Sequence, residues 1–300
     1  MKMIRIKSPT GGVKMRIMTK EPINKGWSGD KKYCITNESG VQYLYRVSSG
    51  EQQDAKRAEF HRMQQVASLG IPMCQPIEFG FCEEGVYSIQ SWIDGTDADQ
   101  VIPSYSGARQ YEYGLEAGRV LRKIHSIPAP VSQEDWEIRI NRKIERNTKR
   151  YCQCPIQYEN GHVFMDYINE NIHLLKNRPQ ACLHGDYHMG NMIIDREGKL
   201  CIIDFNRCDY GDPWEDFKRI VWNAQKAPRF ASGMVAGYFD DHVPTEFWKL
   251  LALYIASNAL GSVYWALPFG QDEVNTMLNQ VKDILFWYDN MREFVPSWYR

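Results

Sequence analysis

The sequence predicts an α+β fold in two lobes: a small antiparallel-sheet lobe with one helix over residues 1–92, and a larger, mainly α-helical lobe over 93–300 that carries a hairpin. Three observations predict it. Short β-rich runs separated by turn signals fill the first third, apolar spacing turns helical after residue 95, and one strand-turn-strand segment interrupts the helices near residue 190.

KYCIT (32–36) and VQYLYRV (41–47) are β-rich runs joined by the turn signal NESG, so they pair as an antiparallel hairpin. Ala55, Ala58, Met63, Val66 and Ala67 then recur at helical spacing over 54–69, where Gly70 and Pro72 end the helix. IEFGFCEEGVYSIQSWIDG (77–95) returns to strand character, and Asp94-Gly95 marks the lobe boundary. Helical spacing follows over 113–125, 163–176, 213–225, 246–260 and 272–289. Within that region NMIID, REGK and LCIIDF read as strand, turn and strand.

Composition narrows the function classes. At 300 residues, with 43% hydrophobic and 13% aromatic side chains, the chain can bury a core in each lobe. Its 36 basic and 37 acidic residues leave a formal charge of −1, so no global field draws it to nucleic acid or an anionic membrane. The eight cysteines form no CxxC pair and no zinc-type spacing, which fits reduced thiols in a cytosol. Charged residues and a glycine pair interrupt the N-terminal apolar residues, unlike a signal peptide, and no window is read as reaching the roughly twenty apolar residues of a membrane span. The expectation is a cytoplasmic protein with neither nucleic-acid nor membrane partners, as a monomer or homodimer.

Chemistry concentrates in LHGDYHMGNMIID (183–195). His184-Gly185-Asp186 is followed five positions later by Asn191, and Asp204 lies thirteen beyond, directly after an apolar run. Phosphoryl transfer needs one carboxylate to accept the proton of the attacking hydroxyl, and hard oxygen ligands to hold magnesium on the nucleotide phosphates. H-x-D-x-x-x-x-N with an Asp after the next strand is the spacing kinases use. Taken singly, Asn191 also suits a hairpin cap. In Gly211-Asp212-Pro213-Trp214-Glu215-Asp216, Asp212 reads as an N-cap, Pro213 as the first helical residue and Glu215 as the far side of a capping box.

LHGDYHMGNMIID, followed by IIDFNRCDYGDPWEDF, resembles the aminoglycoside phosphotransferase family, a branch of the protein-kinase-like superfamily related to macrolide phosphotransferases and choline/ethanolamine kinases. The resemblance spans roughly residues 20 to 290 and implies the two-lobed kinase-like fold. It implies Asp186 as catalytic base and Asn191 and Asp204 as magnesium ligands, with ATP or GTP as donor. His184 would brace the loop, and Asp212 and Asp216 would support it.

For the nucleotide, the family position of the phosphate-covering loop falls on INKGWSGDKKY, with Ser28 and Gly29, which is neither a Walker loop nor GxGxxG. The lysine usual on the third strand is replaced by Arg46, with Glu59 as its helix partner; arginine keeps the charge and can grip phosphate bidentately. Ser91, Trp92 and Ile93 fall at the connector that meets the base, and Ile203 at its floor. For the acceptor, Asp240-Asp241, Tyr264-Trp265 and Asp272-Glu273 are candidates: carboxylates suit aminocyclitol ammonium groups, and aromatics suit choline. Antibiotic resistance is one role open to such a kinase and metabolite phosphorylation another. A protein kinase is disfavoured because Gly185 replaces the usual arginine and no APE element follows Asp204. A nucleotide-binding pseudokinase is the non-enzymatic alternative.

Overall fold

The computed structural model describes residues 16–24 and 29–300. The chain forms two compact units: residues up to Thr96 together with Met192–Cys208, and Asp97–Asn191 together with Asp209–Arg300.

In the first unit, β1 (Ile17–Pro22), β2 (Lys31–Asn37), β3 (Gln42–Ser48), β4 (Pro76–Cys82) and β5 (Gly85–Ser91) form one antiparallel sheet in the order β1-β2-β3-β5-β4. The NESG turn closes because the Asn37 carboxamide oxygen accepts the N–H groups of Ser39 and Val41 at 3.0 and 2.8 Å. Ile35, Tyr45, Val47, Tyr87 and Ile89 stack into the sheet's buried cluster. Helix α1 (Gln53–Ala67) packs on β4 and β5, burying Met63 and Val66, and ends before Gly70, whose φ of +66° suits glycine. Strand β6 (Gly95–Asp97) follows.

The second unit contains α2 (Ala98–Val101), α3 (Gly107–Ile124), α4 (Trp136–Gln153), α5 (His162–Asn171) and β7 (Ala181–Leu183). The predicted hairpin then forms as β8 (Met192–Asp195) and β9 (Leu200–Ile202), in register Met192 to Ile202. It belongs to the first unit because Ile202 bridges Met73 and the Cys74 N–H donates to the Ile202 carbonyl at 3.1 Å. Strand β10 (Asp209–Gly211) pairs with β7, and the chain continues through α6 (Ile220–Lys226), α7 (Pro228–Phe239), α8 (Thr245–Ala266) and α9 (Gln271–Trp287).

Besides the single turn of α2, two longer helices were absent from the sequence reading. Helix α4 buries Trp136, Ile140 and Ile144, one apolar residue per turn inside a highly charged run, which leaves too thin a stripe to stand out. Helix α7 is rich in Gly, Ala and Ser and starts at Pro228. The membrane-window expectation also needs correction: Thr245–Phe269 is 25 residues long with a window of mean hydropathy 1.4, enough to span by length and composition. Of that window 78% is buried inside the fold, as expected of a core helix apolar on all sides.

Helices α3 and α7 approach backbone to backbone. Gly114 and Gly118 lie against the carbonyls of Phe230 and Met234, and Gly233 and Gly237 against those of Tyr111 and Leu115, so a Cβ at any of the four would collide. Alanine at an ordinary helix-interior glycine stabilises by roughly 1 kcal/mol. Here overpacking outweighs that gain, and Gly118→Ala is expected to lower unfolding stability by about 1–3 kcal/mol, read as a fall in the urea midpoint with the slope unchanged.

Candidate functional site

The sequence-marked loop begins where β7 ends. His184 is fully buried, and Gly185 turns the chain at φ +83°, a left-handed value that glycine adopts without cost. At this turn Asp216 receives two backbone donors: its carboxylate oxygens accept the N–H of His184 and of Gly185, both at 2.7 Å. His184 Nδ1 accepts the Asp186 N–H at 3.3 Å, Tyr187 Oη donates to the Ala117 carbonyl on α3 at 2.7 Å, and Met189 N donates to the Asn223 carboxamide on α6 at 2.9 Å. Asn191 closes the loop on itself, its Nδ2 donating to the Asp186 carbonyl at 2.9 Å. The structure therefore brings His184, Asp186, Asn191 and Asp216 together.

With its backbone so fixed, Asp186 keeps a side chain that is 19% exposed. Arg219 Nε lies 3.0 Å from its Oδ1, and His188 Nε2 lies 3.8 Å from the same oxygen. Arg219 was not anticipated. Its spacing of three from Asp216 puts both side chains on one face of a helical turn, a weak signal without a known target.

Asp216 is wholly buried. Burial pushes its carboxyl up, but the His125 hydrogen bond and the charges of His125 and Lys218 outweigh it and hold the group below its ordinary 3.8. His125 Nε2 lies 3.2 Å from Asp216 and its Nδ1 2.9 Å from Tyr238 Oη. Asp212 caps the following turn through the Trp214 N–H at 2.9 Å, as expected, and is also engaged by Arg178 Nε at 2.6 Å and Tyr254 Oη at 2.7 Å. The expected capping box is not the role of Glu215. Its buried carboxylate instead takes Lys143 and Lys218, each at 2.6 Å, because two ammonium groups outbid one backbone N–H. Burial in turn pushes the Lys143 ammonium down to about 8 despite Glu215.

Asp204 follows β9 in the first unit in a left-handed conformation, φ +63° and ψ +59°, which few residues other than glycine, Asn and Asp tolerate. Its Oδ1 accepts from Arg46 Nη2 at 2.9 Å. Arg46 is 3% exposed, its Nη1 4.0 Å from Glu59 and its Nε 3.5 Å from Asp30. Lys56 lies 2.9 Å from Asp30 and 3.1 Å from Glu59. Asp30 and Lys56 escaped the sequence reading because they are one loop acid and one helix lysine among many. Gly29 is exposed, and Ser28 lies outside the described residues. Ser91 ends β5 with its Oγ accepting from Gln75 N at 2.7 Å, Trp92 is exposed, and Ile93 and Ile203 are half-buried.

Of the acceptor candidates, Asp240 pairs with Arg122 Nη1 at 2.5 Å and Trp265 packs on Phe269, centroids 4.8 Å apart, so both have structural partners. Asp272 and Glu273 occupy the first turn of α9, where carboxylates complement the helix dipole.

A family model described as "Phosphotransferase enzyme family" matches residues 19–248. Among solved structures, the apo form of a thermostable mutant of aminoglycoside phosphotransferase APH(4)-Ia superposes with a TM-score of 0.64 at 16% identity, covering 90% of this chain and 94% of that one. The GDP complex of wild-type aminoglycoside 2'-phosphotransferase-IIIa gives 0.64 at 15%, covering 89% and 92%, and the GDP and kanamycin complex of APH(2")-IIia gives 0.63 at 14%, covering 89% and 93%. A search of curated proteins returns no match.

Removing the Asp216 carboxylate strands the buried His184 N–H and the half-buried Gly185 N–H, a buried one costing about 1–3 kcal/mol. Asp216→Ala is expected to lose roughly 3–5 kcal/mol, as for breaking a buried charged partner, measured by guanidinium chloride unfolding. Because its folded pKa lies below the unfolded 3.8, the Asp216 contribution is fully present above that value and is lost as pH falls through the folded pKa. Acid titrations of stability should therefore be shallower in Asp216→Asn than in the wild type.

Proposed function

The chain belongs to the phosphotransferase enzyme family, and from that premise we propose that it transfers the γ-phosphate of ATP or GTP to a hydroxyl of a small molecule. The observation that carries this reading is the rigid loop around an accessible carboxylate: Asp216 fixes the backbone on one side of Asp186 and Asn191 on the other. A base held in place pays no reorganisation when the acceptor hydroxyl arrives, which is where positioning contributes most to phosphoryl transfer.

In the proposed mechanism Asp186 orients the acceptor hydroxyl and takes its proton as the oxygen attacks phosphorus and the bond to the leaving nucleoside diphosphate breaks in line. Arg219 Nε, 3.0 Å from Asp186 Oδ1, holds the carboxylate in place. Arg46 supplies positive charge to the α- and β-phosphates, with Ser28 and Gly29 covering the phosphates and Ser91, Trp92, Ile93 and Ile203 serving the base.

Asp204 and Asn191 each carry the kind of oxygen that magnesium takes. Asp204 is 29% exposed and offers a hard carboxylate, and because the Asn191 amide nitrogen is committed to the Asp186 carbonyl, the amide oxygen is turned the other way. Magnesium on a nucleotide takes one or two protein ligands, the rest coming from phosphate and water. When bound, magnesium would neutralise charge developing on the transferred group. Asp204 and Asn191 are the residues proposed to hold it.

The acceptor is sought among small polyhydroxyl and amino-alcohol compounds. Hygromycin B and kanamycin, bound in the similar structures, come first, with antibiotic resistance as the corresponding role; choline, ethanolamine, macrolides, homoserine and sugars test the metabolic alternative. A cytoplasmic setting belongs to the same proposal, with the eight cysteines taken as reduced thiols.

Acceptor-dependent nucleotide consumption is expected with at least one member of this panel, and Asp186→Ala should lower kcat by about 10²–10⁴-fold, the usual contribution of a general base. Asn191→Ala and Asp204→Ala should each raise the magnesium concentration needed for half-maximal nucleotide binding. No stimulation by any acceptor, with Asp186→Ala indistinguishable from wild type, would favour a nucleotide-binding module instead.

A further inference from the structure

We propose that Asp30, rather than Glu59, is the carboxylate that positions Arg46, and that Asp30 with Lys56 is the reason an arginine serves at this place. The inference rests on the reading of Arg46 as the phosphate-contacting cation.

The three nitrogens of the guanidinium face three different carboxylates: Nη2 lies 2.9 Å from Asp204, Nε 3.5 Å from Asp30 and Nη1 4.0 Å from Glu59. Glu59 is the most distant. It lies nearer to Lys56, one helical turn away at 3.1 Å, which it shares with Asp30. Asp30 is gripped from three directions: Ser48 Oγ donates to it at 2.7 Å, Lys56 Nζ at 2.9 Å, and Arg46 Nε lies beside the same oxygen that Lys56 takes. Arg46 and Ser48 are two apart on β3, so the strand's alternation directs both to one face, toward Asp30.

The charges support this order of partners. Asp30 and Arg46 are 5% and 3% exposed, so each needs the other ionised. Burial alone would raise the Asp30 carboxyl, yet the hydrogen bonds from Lys56 and Ser48 and the charges of Lys56 and Arg46 hold it below its ordinary range. Burial raises Glu59, and its two cations do not offset it. Three carboxylates thus share two cations, and Glu59 bears the deficit.

This arrangement explains the departure from lysine. An ammonium is a single point of charge, whereas a guanidinium is a plane with donors on separate edges, so it can hold Asp30 with Nε while Nη2 faces Asp204 or a phosphate. Arg46 Nε is buried and lacks a hydrogen-bond partner at its 3.5 Å separation from Asp30. Its link to Asp30 is an ion pair and not a hydrogen bond.

The test combines a nucleotide-free and a nucleotide-dependent readout. In ¹⁵N-arginine-labelled protein, the Arg46 Nε–H signal, assigned through Arg46→Lys, should be protected from exchange in the wild type and in Glu59→Gln but lose protection in Asp30→Asn. If Asp30→Asn does not fold, Ser48→Ala, which removes one hydrogen bond to Asp30, should shift the same signal in the same direction. In titrations with magnesium AMP-PNP and a GTP analogue, Arg46→Lys should weaken binding about tenfold with Asp30 present and less than threefold within Asp30→Asn. A signal that follows Glu59→Gln and ignores Asp30→Asn and Ser48→Ala, or effects of Arg46→Lys and Asp30→Asn that simply multiply, would overturn the proposal. Failure of the wild type to bind either nucleotide would sink the transfer reading instead, while the Nε–H signal still decides what positions Arg46.

Discussion

The buried carboxylate of Asp216 is the constraint on which the second unit's site depends. It accepts from two consecutive backbone N–H groups where the chain turns through the left-handed Gly185, and His125, itself bonded to Tyr238, holds it from behind. A carboxylate is suited to this work because a neutral acceptor offers weaker bonds to the same donors. Its cost is desolvation, which the fold offsets with an imidazole and a nearby ammonium and not with exposure. The core is built to match: Phe217, next in sequence, stacks edge to face on Tyr238 and Phe247, centroids 5.0 and 5.1 Å away, so packing and polarity fix the same turn.

The first unit solves a different problem, how to keep a cation charged inside a protein. Arg46 is buried among carboxylates, and their number exceeds the available cations by one. If Arg46 takes the nucleotide phosphates as proposed, an incoming phosphate would meet a guanidinium already paired with carboxylates and would compete with Asp204 for one edge of it. The left-handed backbone of Asp204 belongs to the same economy, since an aspartate tolerates this conformation better than most side chains and there presents its carboxylate to Arg46.

The sheet lobe, the α1 helix and the β8–β9 hairpin were legible because alternation and turn residues act locally, and the Asp186, Asn191 and Asp204 spacing was legible because it lies within one short stretch. What sequence did not reveal were partners contributed from afar. Asp30 meets Arg46 from the loop that enters the neighbouring strand β2, His125 meets Asp216 from the end of another helix, and Arg219 reaches Asp186 from a segment read only as helix. Glu215 shows the complementary error, where a correct local pattern lost to two distant lysines. Helix α7 was missed because its small residues, which weaken a helix in isolation, are what allow it to touch α3.

The most direct test of the central claim, that Asp216 freezes the loop bearing Asp186, is amide hydrogen exchange at His184 and Gly185. The account predicts that both amides exchange only at the rate of global unfolding in the wild type, and that in Asp216→Asn they exchange much faster while amides in α8 remain slow. Rapid exchange of either amide in the wild type, or equal protection in Asp216→Asn, would contradict it.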